Sequence, residues 1–512
     1  MRARRALVLA GTSAATFAAT LDNTVVAVAL GDLQRDLGAG VSGLQGVVTA
    51  YTVGLAALLL TGGALADIGG PRRVFLGGLT GFAIASTGCA LAGSVQTLVV
   101  ARAVQGCAAA LLLPAALALL VAGCPDPERR GRAVALWAAI GSSALVAGPV
   151  VGGLLVAAAG WPAIFWINLP LCAVAAGAVL LAGPPAGPPL APVRRRLDLS
   201  SQALVAGALA AATYAVVMAG QDGPSRPAVL SLAVAVGAGA LLRRSLRRSP
   251  DPLLPPGTLR DRRLTGALVG ALAASVSVFV LLIFVSLFLQ LVQGRAAVET
   301  ALLLLPLTGA LVLTAPVAGR LTTRYGARPP VVLGLLVTAV GLGVLGRLLD
   351  PELSGSTLSL VLLLAGAGAG LVSAPVVIAA LDALPGARSG LAAALVTVAR
   401  ELGGIVAVAG LGAVVVTRLR SDLTARLLAV GVPEQAAGDV VESVLRGGGP
   451  ADIARATDGQ VALDVLLRLR EVAERSVVGS TRVALLVAAA LMVAAAGTAH
   501  WTMAPPRTSL TR

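Results

Sequence analysis

Four ionisable side chains lie inside long apolar stretches of the chain: Asp22, Arg102, Arg400 and Glu401. A charge in such a stretch is costly unless it faces a partner, a ligand or water, so residues of this kind usually serve a function. Burial favours the protonated form of a carboxyl group, and Asp22 is therefore predicted to bind a proton or a cation. A carboxylate held in a structural ion pair is the alternative for this residue.

The two arginines and the second carboxyl group leave more than one interpretation open. Arginine stays charged, so Arg102 is predicted to tune a nearby carboxylate or to hold water. A side chain that extends to the membrane interface is the alternative. Adjacent residues on a helix point about 100° apart, so Arg400 and Glu401 need not pair with each other. Glu401 is either a second protonation site or the partner of an arginine on another helix.

Other kinds of chemistry find no support in the sequence. It has no G-x-x-x-x-G-K-[ST] loop for nucleotide phosphates, which argues against an ATP-driven pump. Its single histidine and four scattered cysteines do not have the spacing of a metal or redox site. We expect no metal, no cofactor and no enzyme activity; a membrane-embedded enzyme or a receptor-like binding protein is the alternative class.

The composition is that of a membrane protein. Hydrophobic residues make up 57% of the 512-residue chain and charged residues only 12%, whereas a soluble domain has about 25% charged residues. The charges lie in short clusters between apolar runs of about 20 residues, the length of a helix that crosses a bilayer. The net charge is +15, but there is no separate basic domain, so we expect the lipid bilayer as a partner and no nucleic acid.

The apolar runs predict an all-α polytopic membrane protein with fourteen transmembrane helices. Two six-helix bundles, residues 1–183 and 263–512, flank residues 184–262, which hold two extra central spans and two linkers. A long outer loop with short amphipathic helices is predicted over 417–482. The predicted spans are 6–30, 42–65, 74–94, 97–122, 133–158, 163–183, 199–219, 227–242, 264–289, 298–318, 329–349, 357–383, 390–416 and 483–502.

The positions of the arginines predict the orientation in the membrane. With a cytoplasmic N-terminus, the cytoplasmic segments contain 24 arginines and the short outer loops contain 4. Positively charged residues near spans stay on the cytoplasmic side. The sequence therefore predicts a multi-pass protein of the cytoplasmic (inner) membrane with both termini in the cytoplasm.

A weak repeat relates the two bundles. Residues 63–73 follow the second span, and the similar segment 319–328 follows the tenth span, so each segment joins the second and third helix of its bundle. Duplicated halves around a central site are a recurring design of transporters.

Several motifs resemble those of the major facilitator superfamily, and in particular its fourteen-span drug:proton antiporter group. The resemblance covers nearly the whole chain apart from the outer loop. Four positions depart from the family's pattern, because Gly31 replaces a proline, Ile68 and Pro71 replace basic residues, and Glu401 replaces a glutamine. The motifs are residues 21–30 in span 1, 63–73 after span 2, 102–106 in span 4, 141–153 in span 5, 161–170 before span 6 and 400–404 in span 13.

The resemblance implies the major facilitator fold and gives roles to named residues. The stretch 161–170 is interpreted as mainly structural. Proton coupling is implied for Asp22, Arg102, Arg400 and Glu401. A conformational latch on the inward face corresponds to Gly63, Asp67, Gly70, Arg72 and Arg73. The antiporter motif corresponds to Gly141, Gly148, Pro149, Gly152 and Gly153. Candidates for the substrate cavity are Phe17, Tyr51, Gln105, Phe284 and Gln290.

The implied function is export. The family suggests a proton-coupled antiporter, working as a monomer, that moves small lipophilic or antibiotic-like molecules across the cytoplasmic membrane by rocking its two bundles. The alternative is an exporter of narrow specificity for a single metabolite, lipid or amino acid on the same fold.

Overall fold

The computed structural model describes residues 2–38, 41–124, 126–183, 198–222, 225–248, 257–295, 297–384, 388–429, 437–438, 441 and 463–504. These residues form helices, and none of them lies in a strand. This agrees with a bilayer environment, where a helix pairs the backbone amides of a segment internally. The helices are α1 (Arg2–Leu37), α2 (Val41–Gly69), α3 (Pro71–Ala90), α4 (Val95–Gly123), α5 (Pro127–Ala159), α6 (Ala163–Trp166), α7 (Asn168–Ala182), α8 (Leu199–Asp222), α9 (Arg226–Arg248), α10 (Arg262–Val280), α11 (Ala297–Tyr325), α12 (Arg328–Leu348), α13 (Gly355–Ala383), α14 (Ser389–Ile405), α15 (Gly412–Ala429) and α16 (Leu463–Thr502).

The number of membrane-crossing helices is lower than predicted when length and hydropathy are the criteria. Nine helices of the described part meet these criteria, and the number is eleven if each of two bent helices counts as one span. Helices α3, α8 and α14 match the remaining predicted spans in position but are not among them. The all-helical architecture is confirmed, whereas the count of fourteen stays a prediction.

The helices pack as two groups that touch along several pairs of helices. In the N-terminal group α4 packs against α2 and α3, and α1 packs against α5 and α7. In the C-terminal group α13 packs against α11 and α12, and α16 packs against α10 and α12. The pairs α2–α14 and α5–α11 join the groups, together with α4–α14 and α5–α13. The α8 helix packs on α2 and also contacts α14, α15 and the turn between them, and α9 packs on α8.

Two helices of the N-terminal group, α1 and α5, are bent, and two helices of the C-terminal group, α10 and α14, are followed by π-helical turns. The axis of α1 bends by 61° between Ala3–Val26 and Val28–Leu37, and α5 bends by 50° between Glu128–Leu145 and Val150–Ala159. The second bend includes Pro149, which cannot donate a helical hydrogen bond. Segments Leu281–Val285 and Phe288–Val292 after α10, and Val406–Leu411 between α14 and α15, are π-helical.

The predicted outer loop over 417–482 begins and ends inside helices. The α15 helix continues from α14 to Ala429, and α16 begins at Leu463, about twenty residues before its predicted span. Ser476 Oγ donates a hydrogen bond to Asp422 Oδ2 at 2.7 Å and ties the two helices together. Hydropathy marks the end of an apolar run and not the end of the helix, which explains the difference. Most of residues 430–462 and the linker 184–197 lie outside the described residues.

Candidate functional site

The carboxylate of Asp22 lies at the centre of a buried polar cluster in the N-terminal group. Arg102 Nη1 donates to Asp22 Oδ2 and forms an ion pair with it. Gln105 Nε2 and Asn168 Nδ2 both donate to Asp22 Oδ1, at 2.9 and 2.6 Å. All four side chains are fully buried. The structure therefore joins α1, α4 and α7 around one carboxylate, which has a strong donor for each oxygen.

Arg102 is held by more than its ion pair. Its Nη1 also donates to Gln105 Oε1 at 2.9 Å, and its Nε donates to the carbonyl of Val47 at 3.4 Å. The guanidinium carbon lies 4.3 Å from the centre of the Tyr51 ring and 5.9 Å from that of Phe165. A buried arginine needs such partners because it does not lose its proton. The predicted alternative, an arginine that extends to the interface, is not what the structure shows.

Glycines bring the helices of the cluster close together. A methyl group at Gly106 would overlap the carbonyl oxygen of Tyr51, so only glycine permits the observed approach of α4 to α2. Tyr51 is fully buried and donates its hydroxyl to the carbonyl of Ala19 on α1, at 3.1 Å. The Tyr51 side chain and the close approach at Gly106 thus fix the helices α1, α2 and α4 around Arg102.

The antiporter motif forms the surface of α5 that packs on α1. A methyl group at Gly141 would lie 2.9 Å from Thr16 Cγ2, one at Gly148 would overlap Thr24 Oγ1, and one at Gly152 would lie 2.5 Å from Val25 Cγ2. Gly153 has more room, with Val28 Cγ1 at 4.0 Å. The contact with α1 runs past Asp22, so this motif sets the position of the helix that carries the buried carboxylate.

The predicted latch lies where α2 meets α14. Backbone N–H groups of Gly390 and Leu391 donate to Asp67 Oδ1 and Oδ2, at 2.7 and 3.0 Å. These amides belong to the first turn of α14, where backbone donors lack helical partners and a negative charge is favoured. A methyl group at Gly63 would lie 2.5 Å from the carbonyl oxygen of Gly390, so the two backbones touch.

The other latch residues lie at the start of α3. Gly70 has φ +86°, a left-handed conformation that glycine adopts without strain, and this turn joins α2 to α3. Arg72 is half-buried, and its Nε has no hydrogen-bond partner among the described residues. Arg73 is exposed. Of the five predicted latch residues, Gly63 and Asp67 lie in the contact between α2 and α14.

The C-terminal pair, Arg400 and Glu401, is arranged differently. Arg400 Nη2 donates to the carbonyl and to the hydroxyl of Ser373 on α13, at 3.0 and 3.2 Å. Glu401 is half-buried, and within the described residues no hydrogen bond or ion pair of its carboxyl group is found. The two interpretations of Glu401 therefore stay predictions.

The five candidates for the substrate cavity are not brought together. Tyr51 and Gln105 belong to the Asp22 cluster. Phe284 is buried in the apolar core of the C-terminal group, in the first π-helical turn after α10. Gln290 is exposed in the second such turn, and Phe17 is half-buried on α1. A shared role in a cavity stays a prediction for these residues.

Asn168 and Ser86 belong to the buried cluster but were not predicted from the sequence as site residues. Asn168 lies in the stretch 161–170, which was interpreted as structural, and Ser86 lies in no motif. The structure places both in the buried cluster, where Asn168 Nδ2 also donates to Ser86 Oγ at 3.0 Å. An amide or a hydroxyl in an apolar span is the signal that points to them, but such residues also occur in plain helix packing.

Two packed groups of helices with a charged cluster inside one of them define a multi-pass membrane protein of the transporter class. Residues 12–408 match the profile of the Major Facilitator Superfamily, and the chain belongs to this family. This confirms the predicted superfamily and its all-helical fold, and the fourteen spans stay a prediction.

The chain is similar to named drug-resistance proteins. It is 34% identical to multidrug resistance protein Stp of Mycobacterium tuberculosis, over 96% of this chain and 91% of that protein. It is 35% identical to the tetracenomycin C resistance and export protein of Streptomyces glaucescens, over 78% and 74% of the two chains. It is 36% identical to puromycin resistance protein pur8 of Streptomyces alboniger, over 78% and 80%.

Solved structures show the same fold. The human organic anion transporter MFSD10 (TETRAN) has a TM-score of 0.54 at 17% identity, over 96% of this chain and 99% of that chain. The proton:xylose symporter XylE has a TM-score of 0.55 at 15% identity, over 88% and 94% of the two chains.

Proposed function

We propose that this protein is a proton-coupled antiporter that exports small lipophilic or antibiotic-like molecules across the cytoplasmic membrane. The names of its relatives, which refer to multidrug, tetracenomycin C and puromycin resistance, support export of such molecules. The observation that carries proton coupling is the fully buried Asp22 carboxylate, which Arg102 and two amides hold inside the N-terminal group.

The buried ion pair supplies a reason for coupling. It is stable while both partners are charged and hydrogen-bonded, and a buried charge that loses its partner is strongly unfavourable. A proton on Asp22 removes the attraction and leaves the Arg102 charge uncompensated. The state with a protonated Asp22 therefore favours a rearrangement of α1 against α4. In this proposal protons enter from the outer side, drive release of the substrate and reset the cycle.

The contact of Asp67 with α14 is the proposed latch of the cycle. Opening the bundle at this end requires the loss of both Asp67 hydrogen bonds and of the Gly63–Gly390 contact. Tyr51 and Asp67 lie sixteen residues apart on α2, about 24 Å at 1.5 Å per residue. A tilt of α2 as a rigid rod therefore connects the proton site with the latch.

Further elements of the proposal rest on the sequence. The arginine distribution supports cytoplasmic termini in the cytoplasmic membrane. The presence of both bundles in one chain supports a protein that functions as a monomer. In the proposed transport cycle the protein has no enzyme activity. Glu401 is proposed as a second protonation site, because its carboxyl group has no ion pair among the described residues.

A narrow exporter is the second candidate, and the names of two relatives favour it. Each of these relatives is named for one antibiotic, tetracenomycin C or puromycin. Competition separates the two candidates: unrelated lipophilic compounds compete for a multidrug exporter, whereas only close analogues of one compound compete for a narrow one.

The proposal is tested by efflux of a fluorescent lipophilic cation from pump-deficient bacterial cells that express the protein. Wild type is compared with Asp22→Asn, and with Asp36→Asn, which removes an exposed carboxylate from the same helix. We expect wild-type and Asp36→Asn efflux to stop when a protonophore is added, and Asp22→Asn efflux to be at least about tenfold lower, in line with ~1.4 kcal/mol or more. Protonophore-sensitive efflux that Asp22→Asn leaves unchanged would contradict the role of Asp22.

A further inference from the structure

A chain of hydrogen bonds leads from Asp22 to the backbone of α6. Asn168, the first residue of α7, uses its Nδ2 to donate to Asp22 Oδ1 at 2.6 Å and to Ser86 Oγ at 3.0 Å. Ser86 on α3 donates in turn to the carbonyl of Phe165 at 2.9 Å. Asn168 and Ser86 are fully buried. The oxygen of the same amide, Asn168 Oδ1, is buried and has no hydrogen-bond partner among the described residues.

This arrangement suits only the ionised form of Asp22. A carboxylate accepts hydrogen bonds and cannot donate, so the amide must present its nitrogen to it. A protonated carboxyl group donates one hydrogen bond and needs an acceptor. Gln105 Oε1 already accepts from Arg102 Nη1 at 2.9 Å and from Cys89 Sγ at 3.5 Å. Asn168 Oδ1 is the acceptor without a donor, and a half-turn of the amide brings it to Asp22.

The other titratable and charged groups around Asp22 do not meet this need. Arg102 on α4 is a donor only. Tyr51 on α2 uses its hydroxyl hydrogen for the carbonyl of Ala19 at 3.1 Å. The thiols of Cys89 on α3 and Cys172 on α7 also lie within electrostatic reach of Asp22, and thiols are weak acceptors. Glu401 on α14 is the remaining charged group near Tyr51, and among the described residues no hydrogen bond joins it to the cluster.

We propose that Asn168 is a positioning residue that reports the protonation of Asp22 by a half-turn of its side-chain amide, an inference that rests on the proposed proton coupling. With Asp22 ionised, Nδ2 donates to Asp22 and to Ser86. With Asp22 protonated, Oδ1 accepts from the hydroxyl groups of Asp22 and Ser86. The proton stays on Asp22. The Ser86 hydroxyl then turns away from the carbonyl oxygen of Phe165. When Asp22 gains a proton, the short helix α6 therefore loses the hydrogen bond that Ser86 donates to it.

The first test compares Asn168→Val with Asn168→Thr, whose new side chains have the same shape as each other. The measured quantity is the pH dependence of proton-driven transport of a lipophilic cation into everted vesicles. Valine removes a donor to the ionised carboxylate, so the midpoint of the pH profile should rise by about one unit. Threonine has a hydroxyl that both donates and accepts, so its midpoint should stay within about half a unit of wild type. The control Thr338→Val removes a buried hydroxyl group in the C-terminal group, which donates to the carbonyls of Gly334 and Ala365, and should not move the midpoint.

Equal midpoint shifts in Asn168→Val and Asn168→Thr would overturn the inference. If wild type itself shows no proton-driven transport in these vesicles, the proposed function fails, and this result is distinct from a failure of the Asn168 variants alone.

A second test uses the wild-type protein and needs neither transport nor an Asn168 variant. The protein is labelled with carbonyl-13C phenylalanine, which marks seven positions, and infrared difference spectra are recorded on acidification. The Phe165 carbonyl should move to higher frequency as it loses the Ser86 hydroxyl. The change should be absent in Asp22→Asn and in Ser86→Ala. A wild-type spectrum without a change that depends on Asp22 would also overturn the inference.

Discussion

Two of the contacts between the helix groups, α2–α14 and α5–α11, lie at related positions of the repeat, but only in the first does a carboxylate accept hydrogen bonds from the partner helix. In the α2–α14 contact Gly63 touches Gly390, and in the α5–α11 contact a methyl group at Gly319 would lie 3.1 Å from the carbonyl oxygen of Gly131. Four residues after the glycine, the first contact has Asp67 and the second has Thr323. Asp67 accepts two hydrogen bonds from α14, whereas Thr323 donates to Arg320 of its own helix at 2.8 Å.

The place where the partner helix begins explains this difference. Gly390 is the second residue of α14, and its amide is free to donate to a carboxylate. Gly131 lies past the first turn of α5, where Arg130 N already donates to Asp126 O at 2.9 Å. An acidic residue on α11 would find no free amide there. The repeat thus sets how closely the helices approach, and the helix start decides whether the contact can bind a charge.

The largest expected effect comes from adding one methyl group to each contact. In Gly390→Ala the new Cβ would overlap the carbonyl oxygen of Gly63, which is backbone and cannot turn aside. In Gly131→Ala the nearest atom is Thr323 Cγ2 at 3.3 Å, the end of a side chain. Overpacking costs about 1–3 kcal/mol, so we expect Gly390→Ala to lower the initial efflux rate about tenfold and Gly131→Ala less than about twofold. Similar losses in both, at matched expression, would refute the asymmetry.

A smaller effect is expected when the charge of Asp67 is removed. Asp67→Asn keeps one acceptor for two amides and loses the interaction with the α14 N-terminus, a change of about 1–2 kcal/mol. The reporter is a cysteine introduced by Ser389→Cys into a protein without its native cysteines. We expect maleimide to label this cysteine faster in Asp67→Asn than in the protein that keeps Asp67, because this end of the bundle opens more often. Thr323→Val is the matched control at the other contact and should leave labelling unchanged. Slower labelling in Asp67→Asn would argue against a latch.

The smallest effect is expected for the surface ion pair that also links the groups. Arg130 Nη2 lies 3.4 Å from Asp382 Oδ1, and the Asp382 side chain is 59% exposed. Exposed pairs contribute about 0–1 kcal/mol and weaken with salt. We expect Arg130→Gln to change efflux less than about twofold, and its effect on the unfolding temperature of the detergent-purified protein to vanish at high salt. A large effect that persists in salt would make this pair part of the latch.

The sequence allowed the charged residues to be predicted but not their arrangement. Asp22 and Arg102 stand out because charges are rare in apolar spans, yet their contact depends on how α1 packs on α4, and one sequence does not contain this information. Gln105 was predicted for the substrate cavity, which stays a prediction, and its hydrogen bond to Asp22 was not predicted. The stretch that contains Asn168 was interpreted as mainly structural because its aromatic residues suit the outer membrane interface.

A helix N-terminus was an expected partner of Asp67 because of its negative charge, but the helix that supplies it, α14, was not predictable. Its two donors are backbone amides, which every residue except proline carries, so no residue type marks them. The helices themselves were predictable from apolar runs. Their ends were not, because charged residues continue α15 and α16 beyond the apolar part of each span.

The π-helical turns after α10 and α14 affect how this chain can be compared with other sequences. A π turn contains about one residue more than an α turn, so the side chains beyond it are rotated by about 100° relative to an uninterrupted α-helix. In a gapless alignment with a relative that lacks these turns, positions facing the interior would be matched with positions facing lipid. Gln290 lies beyond the first of these turns. Residue assignments transferred along these spans therefore need a one-residue gap at each turn before they describe the same face of the helix.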